Sequence, residues 1–224
     1  MFLHVQGLLN KKQLQKATEI LSAAKYVEGK RSAGPSAQFV KNNLHVDTEK
    51  TVAFGEFQKL ISDALWNNEA VNSVSMPAQM TPPIVNRHEP GMYYGFHTDN
   101  PIMGTDPALR SDIAISIFLN DPESYEGGEL FVKTDVGDAE LKLPMGDALI
   151  YPANSLHQVQ KVTSGVRLAA VVWVQSMLRD PAHRQILFEM NKACEIIAKK
   201  HPGSEEEGLL LKVYGNLIRM WIEP

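Results

Sequence analysis

The stretch YYGFHTDN (93–100) sets His97 and Asp99 two residues apart, at what reads as the end of a strand. Residues i and i+2 of a strand point to one face. An imidazole and a carboxylate are thereby aimed at a common point, which suits a metal ion. With 7 His and 26 Asp plus Glu in 224 residues, roughly one His-x-Asp/Glu arises by chance, so the pair carries weight only in company. That company comes in YPANSLHQV, where His157 opens another predicted strand behind a Pro/Asn/Ser turn. Two histidines and one carboxylate on neighbouring strand ends occupy one face of an octahedron. Three adjacent positions stay open, as on a non-haem Fe(II) that binds a chelating co-substrate beside dioxygen. Further on, Arg167 opens RLAAVVWVQ, whose inward face otherwise carries Ala169, Val171 and Trp173. A guanidinium aimed into an apolar barrel is costly unless an anion meets it. The far carboxylate of 2-oxoglutarate, whose keto-acid end chelates the metal, would take that fork bidentately. Tyr94 is placed to add a phenolic hydrogen bond to the bound acid.

Each residue alone has a plainer explanation. His97 and Asp99 would serve as a solvated turn pair, His157 as the satisfied end of a strand, and Arg167 as a structural partner of Asp112 or Glu129. What favours the metal site is that all four occur together at barrel-like spacing. His88, in NRHEPG, has no second histidine at i+4 and so does not form a zinc-protease helix. His4, His45, His183 and His201 read as surface or packing residues. Asp106 and Asp112 flank a 100–112 loop that reads as a lid and not as a second metal site. Cys194 lies among apolar helical neighbours and reads as a packed thiol.

The elements that must position these side chains follow from periodicity. Asn10 with Gln13 forms a capping-box pattern ahead of Leu14, Ala17, Leu21 and Ala24. Phe54, Phe57, Leu60, Ile61, Ala64 and Leu65 predict a second helix ending near Trp66. From about residue 76 the period changes. IAISIFLN (113–120) puts Ile113, Ile115, Ile117 and Leu119 on one face, with Ala114, Ser116 and Phe118 opposite. ELFVKT, AELKLP, DALIYP, HQVQKV and RLAAVVWVQ follow as short strands between Gly/Pro turns, the pattern of an antiparallel sandwich or jelly roll. Helical spacing returns after Asp180-Pro181, and Ser204 with Glu207 caps a last helix carrying Leu210, Val213, Leu217 and Trp221. That face is expected to bury in the chain's own core or in a homodimer. The first residues, MFLHVQGLLNKK, read as a strand and not as a signal peptide.

A composition of 44% hydrophobic and 21% charged residues is that of an ordinary globular protein. A net charge of −4 without a Lys/Arg run argues against nucleic acid, and no apolar stretch approaches a membrane span. One cysteine excludes an internal disulfide and fits a reducing, cytoplasmic setting.

The stretches KNNLHVDT (41–48), YGFHTDN (94–100), SIFLNDPESYEGGEL (116–130), KLPMGDALIYPANSLHQVQKVTSGVRLAAVVWVQSM (142–177) and RDPAHRQILFEM (179–190) resemble the PKHD-type hydroxylases. These are bacterial relatives of the prolyl 4-hydroxylase catalytic domain within the Fe(II)/2-oxoglutarate dioxygenases. The resemblance implies an α+β chain with a double-stranded β-helix (jelly roll) core, N-terminal helices packed on it and a C-terminal helical extension. The expected division is an α/β support segment (1–75), the core (76–178) and the extension (179–224). It also implies His97, Asp99 and His157 as iron ligands and Arg167 as the 2-oxoglutarate anchor, with L-ascorbate as a reductant. The implied reaction hydroxylates an unactivated C–H bond while 2-oxoglutarate is decarboxylated to succinate and CO2. The substrate would be a peptide, as in peptidyl-proline hydroxylation, or a small molecule linked to iron uptake and homeostasis. Thr98 and Pro101-Ile102-Met103 depart from the family pattern, on the substrate-facing side. The competing reading is a cupin-like metal-binding protein or isomerase without oxygen chemistry, which would leave Arg167 without a role.

Overall fold

The computed structural model describes residues 1–32, 37–104, 107–134 and 137–223. The chain opens with β1 (Leu3–Val5), α1 (Lys11–Ser22), β2 (Tyr26–Glu28), β3 (Lys41–Asn42), β4 (Leu44–Val46), α2 (Phe54–Trp66) and α3 (Glu69–Ser75). Strands follow: β5 (Pro77–Met80), β6 (Ile84–His88), β7 (Tyr93–His97), β8 (Ile102–Met103), β9 (Leu109–Arg110), β10 (Ile113–Phe118) and β11 (Tyr125–Gly127). After them come β12 (Leu130–Val132), β13 (Ala139–Leu141), β14 (Ala148–Pro152), β15 (His157–Val159), β16 (Val162–Gly165) and β17 (Arg167–Ser176). Helices α4 (Pro181–Lys200) and α5 (Glu205–Trp221) close the chain.

Two antiparallel sheets carry the fold. The larger runs β1-β14-β10-β17-β6-β4-β2, with β5 also on β17; the smaller runs β13-β12-β15-β7-β3. Every residue of β10 is buried because the strand is covered on both faces. Ile113, Ile115 and Ile117 join Ile20, Leu21, Phe57, Ile61 and Leu65 in a core between the large sheet and the helices. Ala114 and Phe118, on the other face, join Leu130 and Val132 of the smaller sheet in a second core. The alternation in IAISIFLN is the sequence image of that double burial.

The capping box forms as expected, with Asn10 and Gln13 exchanging backbone and side-chain bonds. Helix α4 starts with Asp180 as its cap and Pro181 in its first turn, where the missing N–H costs nothing. Ser204 and Glu207 cap α5. The expected inward face of α5 needs one correction. Leu210, Leu217 and Trp221 are half-buried as expected, but Val213 is 44% exposed, and Tyr214 and Ile218 take the inward positions instead. No residue of α5 is fully buried, because its one long contact is with α4. Helix α3 was not expected. The second helix ends at Trp66 as expected, and Asn68 caps α3, which at seven residues is too short to show a helical stripe. The first strand forms as β1, along β14, and no described helix is long and apolar enough to cross a membrane.

Candidate active site

His97 and His157 end β7 and begin β15, and the two are direct partners across that antiparallel pair. Opposed residues of an antiparallel pair share a face, so both rings point the same way, with centroids 4.3 Å apart. Asp99 is not on the strand, contrary to the strand-face argument: β7 stops at His97. Its position is set by its backbone N–H, which donates to the Ala153 carbonyl just past β14 at 3.2 Å. The outcome is the same convergence. One donor atom from each of His97, Asp99 and His157 lies within 4.8 Å of the others, and His157 Nε2 is 3.9 Å from Asp99 Oδ1.

The donor set fits a divalent transition ion. His97 Nδ1 lies 2.8 Å from the Gly95 carbonyl, and His157 Nδ1 lies 2.9 Å from that of Ser155. A carbonyl only accepts, so both Nδ1 atoms carry the proton and both Nε2 lone pairs are left for a metal. Burial, then the neighbouring His157, holds His97 down to about 3, so its ring is neutral at any ordinary pH. Asp99 is pushed up by burial, while His157, the Trp173 indole and Lys41 favour its charged form. Asp99 Oδ2 and Trp173 Nε1 are both buried without completing a hydrogen bond. A carboxylate left in that state calls for a cation.

The triad faces a cavity of about 680 Å³, which Arg167, Tyr94, His88, Tyr151, Ala169 and Val171 also line. Arg167 is 3% exposed. Neither carboxylate considered as its structural partner forms an ion pair with it, although Glu129 favours its charge from farther off. Asp112 takes a bidentate bond from Arg110 at 2.7 and 3.0 Å, and Glu129 pairs with Lys142 at 3.9 Å. Arg167 Nε has no partner, its guanidinium lies 5.6 Å over the Phe118 ring, and burial lowers its pKa. Tyr125 is the phenol beside it. Tyr94 stacks on His97 at 3.6 Å between centroids, with the Lys41 ammonium 5.0 Å from its ring. Burial and then Asp99 raise the Tyr94 hydroxyl, which keeps it a donor.

Sequence reasoning set His88 aside, yet it is 1% exposed on this cavity wall, opposite Arg167. Lys41 was not singled out; it is 7% exposed in the same wall, and burial lowers it to about 8. Neither spacing reveals cross-strand register, which is what brings them in. Met103 and Gly104 of the 100–112 loop reach the cavity. Strands β8 and β9 pair within that loop, and Asp106 lies outside the described residues. His4 pairs with Asp147 at 2.7 Å, and His183 stacks on Trp221.

Comparison with known proteins bears on the whole chain. Residues 83–175 match the 2OG-Fe(II) oxygenase superfamily, and residues 182–223 match the PKHD-type hydroxylase C-terminal domain. A PKHD-type hydroxylase of Thermosynechococcus vestitus is 40% identical over 224 residues, covering 100% of both chains. The PKHD-type hydroxylase YbiX of Shigella dysenteriae is 37% identical over 225 residues, again with 100% coverage of each. Among solved structures, a Pseudomonas putida prolyl-4-hydroxylase superposes with a TM-score of 0.53 at 14% identity, covering 78% of this chain and 92% of its own. A Trichoplax adhaerens prolyl hydroxylase gives 0.55 at 15% identity, covering 78% and 83%. At that identity the structures share the fold alone.

Proposed function

Because the chain belongs to the PKHD-type hydroxylases of the 2OG-Fe(II) oxygenase superfamily, we propose that His97, Asp99 and His157 hold its ferrous ion and that Arg167 anchors the distal carboxylate of 2-oxoglutarate. One observation carries this reading: two Nε2 lone pairs and an orphaned carboxylate oxygen converge in a cavity whose wall holds a buried guanidinium without a carboxylate partner among the described residues. Iron bound there with 2-oxoglutarate supplies the oxygen activation that yields succinate and CO2 and hydroxylates an unactivated C–H bond. The chain's residues supply geometry and dryness. The Gly95 and Ser155 carbonyls lock the two rings, Tyr94 donates its phenolic proton to the bound acid, and Ala169 and Val171 keep the passage to Arg167 apolar.

The finer fold reading is a double-stranded β-helix (jelly roll), supported by the two facing antiparallel sheets. The division into a core of 76–178 and an extension of 179–224 is supported by the two family matches. The 1–75 segment acts as support, its strands lengthening both sheets. The primary substrate is a peptide, prolyl residues included, or a small molecule of iron uptake; L-ascorbate rescues oxidised iron, and the enzyme works in the cytoplasm.

The test is anaerobic titration with Fe(II) and 2-oxoglutarate, followed by succinate release in air. The chelate should show a weak visible charge-transfer band that a cupin-like binder would lack. His97→Ala and Asp99→Ala should lose metal binding and at least ~100-fold of turnover. Full turnover in either variant would remove the ligand assignment. An oxygen-uptake screen over proline-containing peptides and siderophores then sorts the substrate class.

A further inference from the structure

His88 ends β6 as the direct partner of Arg167, the first residue of β17. Opposed side chains of an antiparallel pair leave the sheet on one face with Cβ atoms about 5 Å apart, so the imidazole and the guanidinium rise side by side from the cavity wall. His88 is 1% exposed, and neither of its ring nitrogens has a hydrogen-bond partner. Buried polar atoms are seldom left so without a ligand to meet them. The neighbours narrow the chemistry of that ligand. Arg167 is a donor only, with Nε unmet. Burial first, then Arg167 and Lys41, keep the imidazole neutral, so His88 offers one N–H that the cationic groups beside it cannot accept. What completes the wall is an acceptor with at least two oxygens and a negative charge.

We propose that His88 binds the co-substrate directly, donating a ring N–H to the distal carboxylate of 2-oxoglutarate while Arg167 takes its other side. This rests on the oxygenase reading above and adds a residue to it. A two-point grip fixes the depth of the carboxylate from the metal, and so selects a diacid over a keto acid that lacks the second carboxylate.

The experiment is calorimetric binding to the Mn(II)-loaded protein, without turnover. The probes are 2-oxoglutarate and 2-oxobutyrate, which shares the chelating head and has no distal carboxylate. His88→Phe should weaken 2-oxoglutarate on the order of tenfold or more, with Mn(II) and 2-oxobutyrate affinities unchanged. His88→Gln, which keeps an N–H, should recover most of the loss. If the phenylalanine variant fails to fold, His88→Ala carries the same comparison. Unchanged 2-oxoglutarate affinity in the variant overturns the proposal, as does an equal loss for 2-oxobutyrate, which would mark a general structural role. A wild-type protein that binds Mn(II) but not 2-oxoglutarate overturns the oxygenase reading itself, a result distinct from either.

Discussion

At the scale of single residues, what separates the site from a chance meeting of polar groups is where the protons are. His97 and His157 each spend Nδ1 on a carbonyl two residues back, one within β7 and one in the turn that leads into β15, so the local backbone fixes the tautomer that leaves Nε2 for a metal. Arg167 is the complementary case, a buried charge that forms no ion pair with a carboxylate among the described residues. Arg167→Ala is expected to raise the KM for 2-oxoglutarate at least ~10-fold, with kcat at saturation much less affected, because the lost contact is remote from the reacting atoms. Arg167→Lys should recover only part of it, since an ammonium cannot reproduce the bidentate fork. Steady-state kinetics decide, and an unchanged KM in the alanine variant would place the anchor elsewhere. His97, Asp99, His157 and Arg167 were all legible in the sequence because each sits at a predicted strand end. His88 was not: its meaning depends on a pairing with a residue far along the chain, and no local pattern carries that information.

At the scale of elements, the small β11–β16 pair and the glycine just after β11 lie close against the stem of Arg167. Gly128 has φ +70, and a Cβ there would lie 2.9 Å from Val162 Cγ2, 3.1 Å from Arg167 Cδ and 3.2 Å from Tyr125. Gly128→Ala is therefore strained in backbone and presses on the stem of Arg167, the proposed anchor. About 2 kcal/mol of destabilisation is expected from the left-handed conformation and the contacts together, a fall in Tm of about 4–8 °C for a chain of this size. The 2-oxoglutarate KM should rise with it, whereas Gly55→Ala, which meets nothing within 4 Å, should leave KM alone. Melting curves and kinetics on the two variants would refute this account if Gly128→Ala kept the wild-type KM. The longer elements could be read ahead of the structure because they repeat: β10 alternates over six residues, and α1 and α2 carry stripes and, for α1, a cap. Strands β2, β3 and β4 span two or three residues each, too short for any period, and are strands only because β7 offers an edge to β3, β6 one to β4, and β4 in turn one to β2.

At the scale of the whole molecule, the fold uses its helices to cover one face of the large sheet, which frees the other face and the smaller sheet to enclose polar groups together. The general plan of helices, β core and helical tail was readable from changes of period. Less readable was that N-terminal strands enter both sheets, since strand partners many residues apart share no sequence signature. Enclosing histidines has a consequence that can be measured on the metal-free protein. Burial holds His97 to about 3 and His88 well below its ordinary value of 6.5. Both native values lie under the unfolded one, so as pH falls below about 6.5 the unfolded chain takes up protons that the native state refuses. Stability from these groups is thus complete above about pH 6.5 and drains away toward acid, by up to about 1.4 kcal/mol per pH unit for each histidine. Apo-protein Tm should fall steadily between pH 7 and pH 5, a range above most carboxylate titration. In His88→Gln, which cannot titrate, the slope should be visibly shallower. Mn(II) at 100 times its dissociation constant should add about 2.7 kcal/mol at neutral pH by binding only the native state. A flat apo profile, or a His88→Gln slope equal to wild type, would mean that the cavity does not keep these rings neutral.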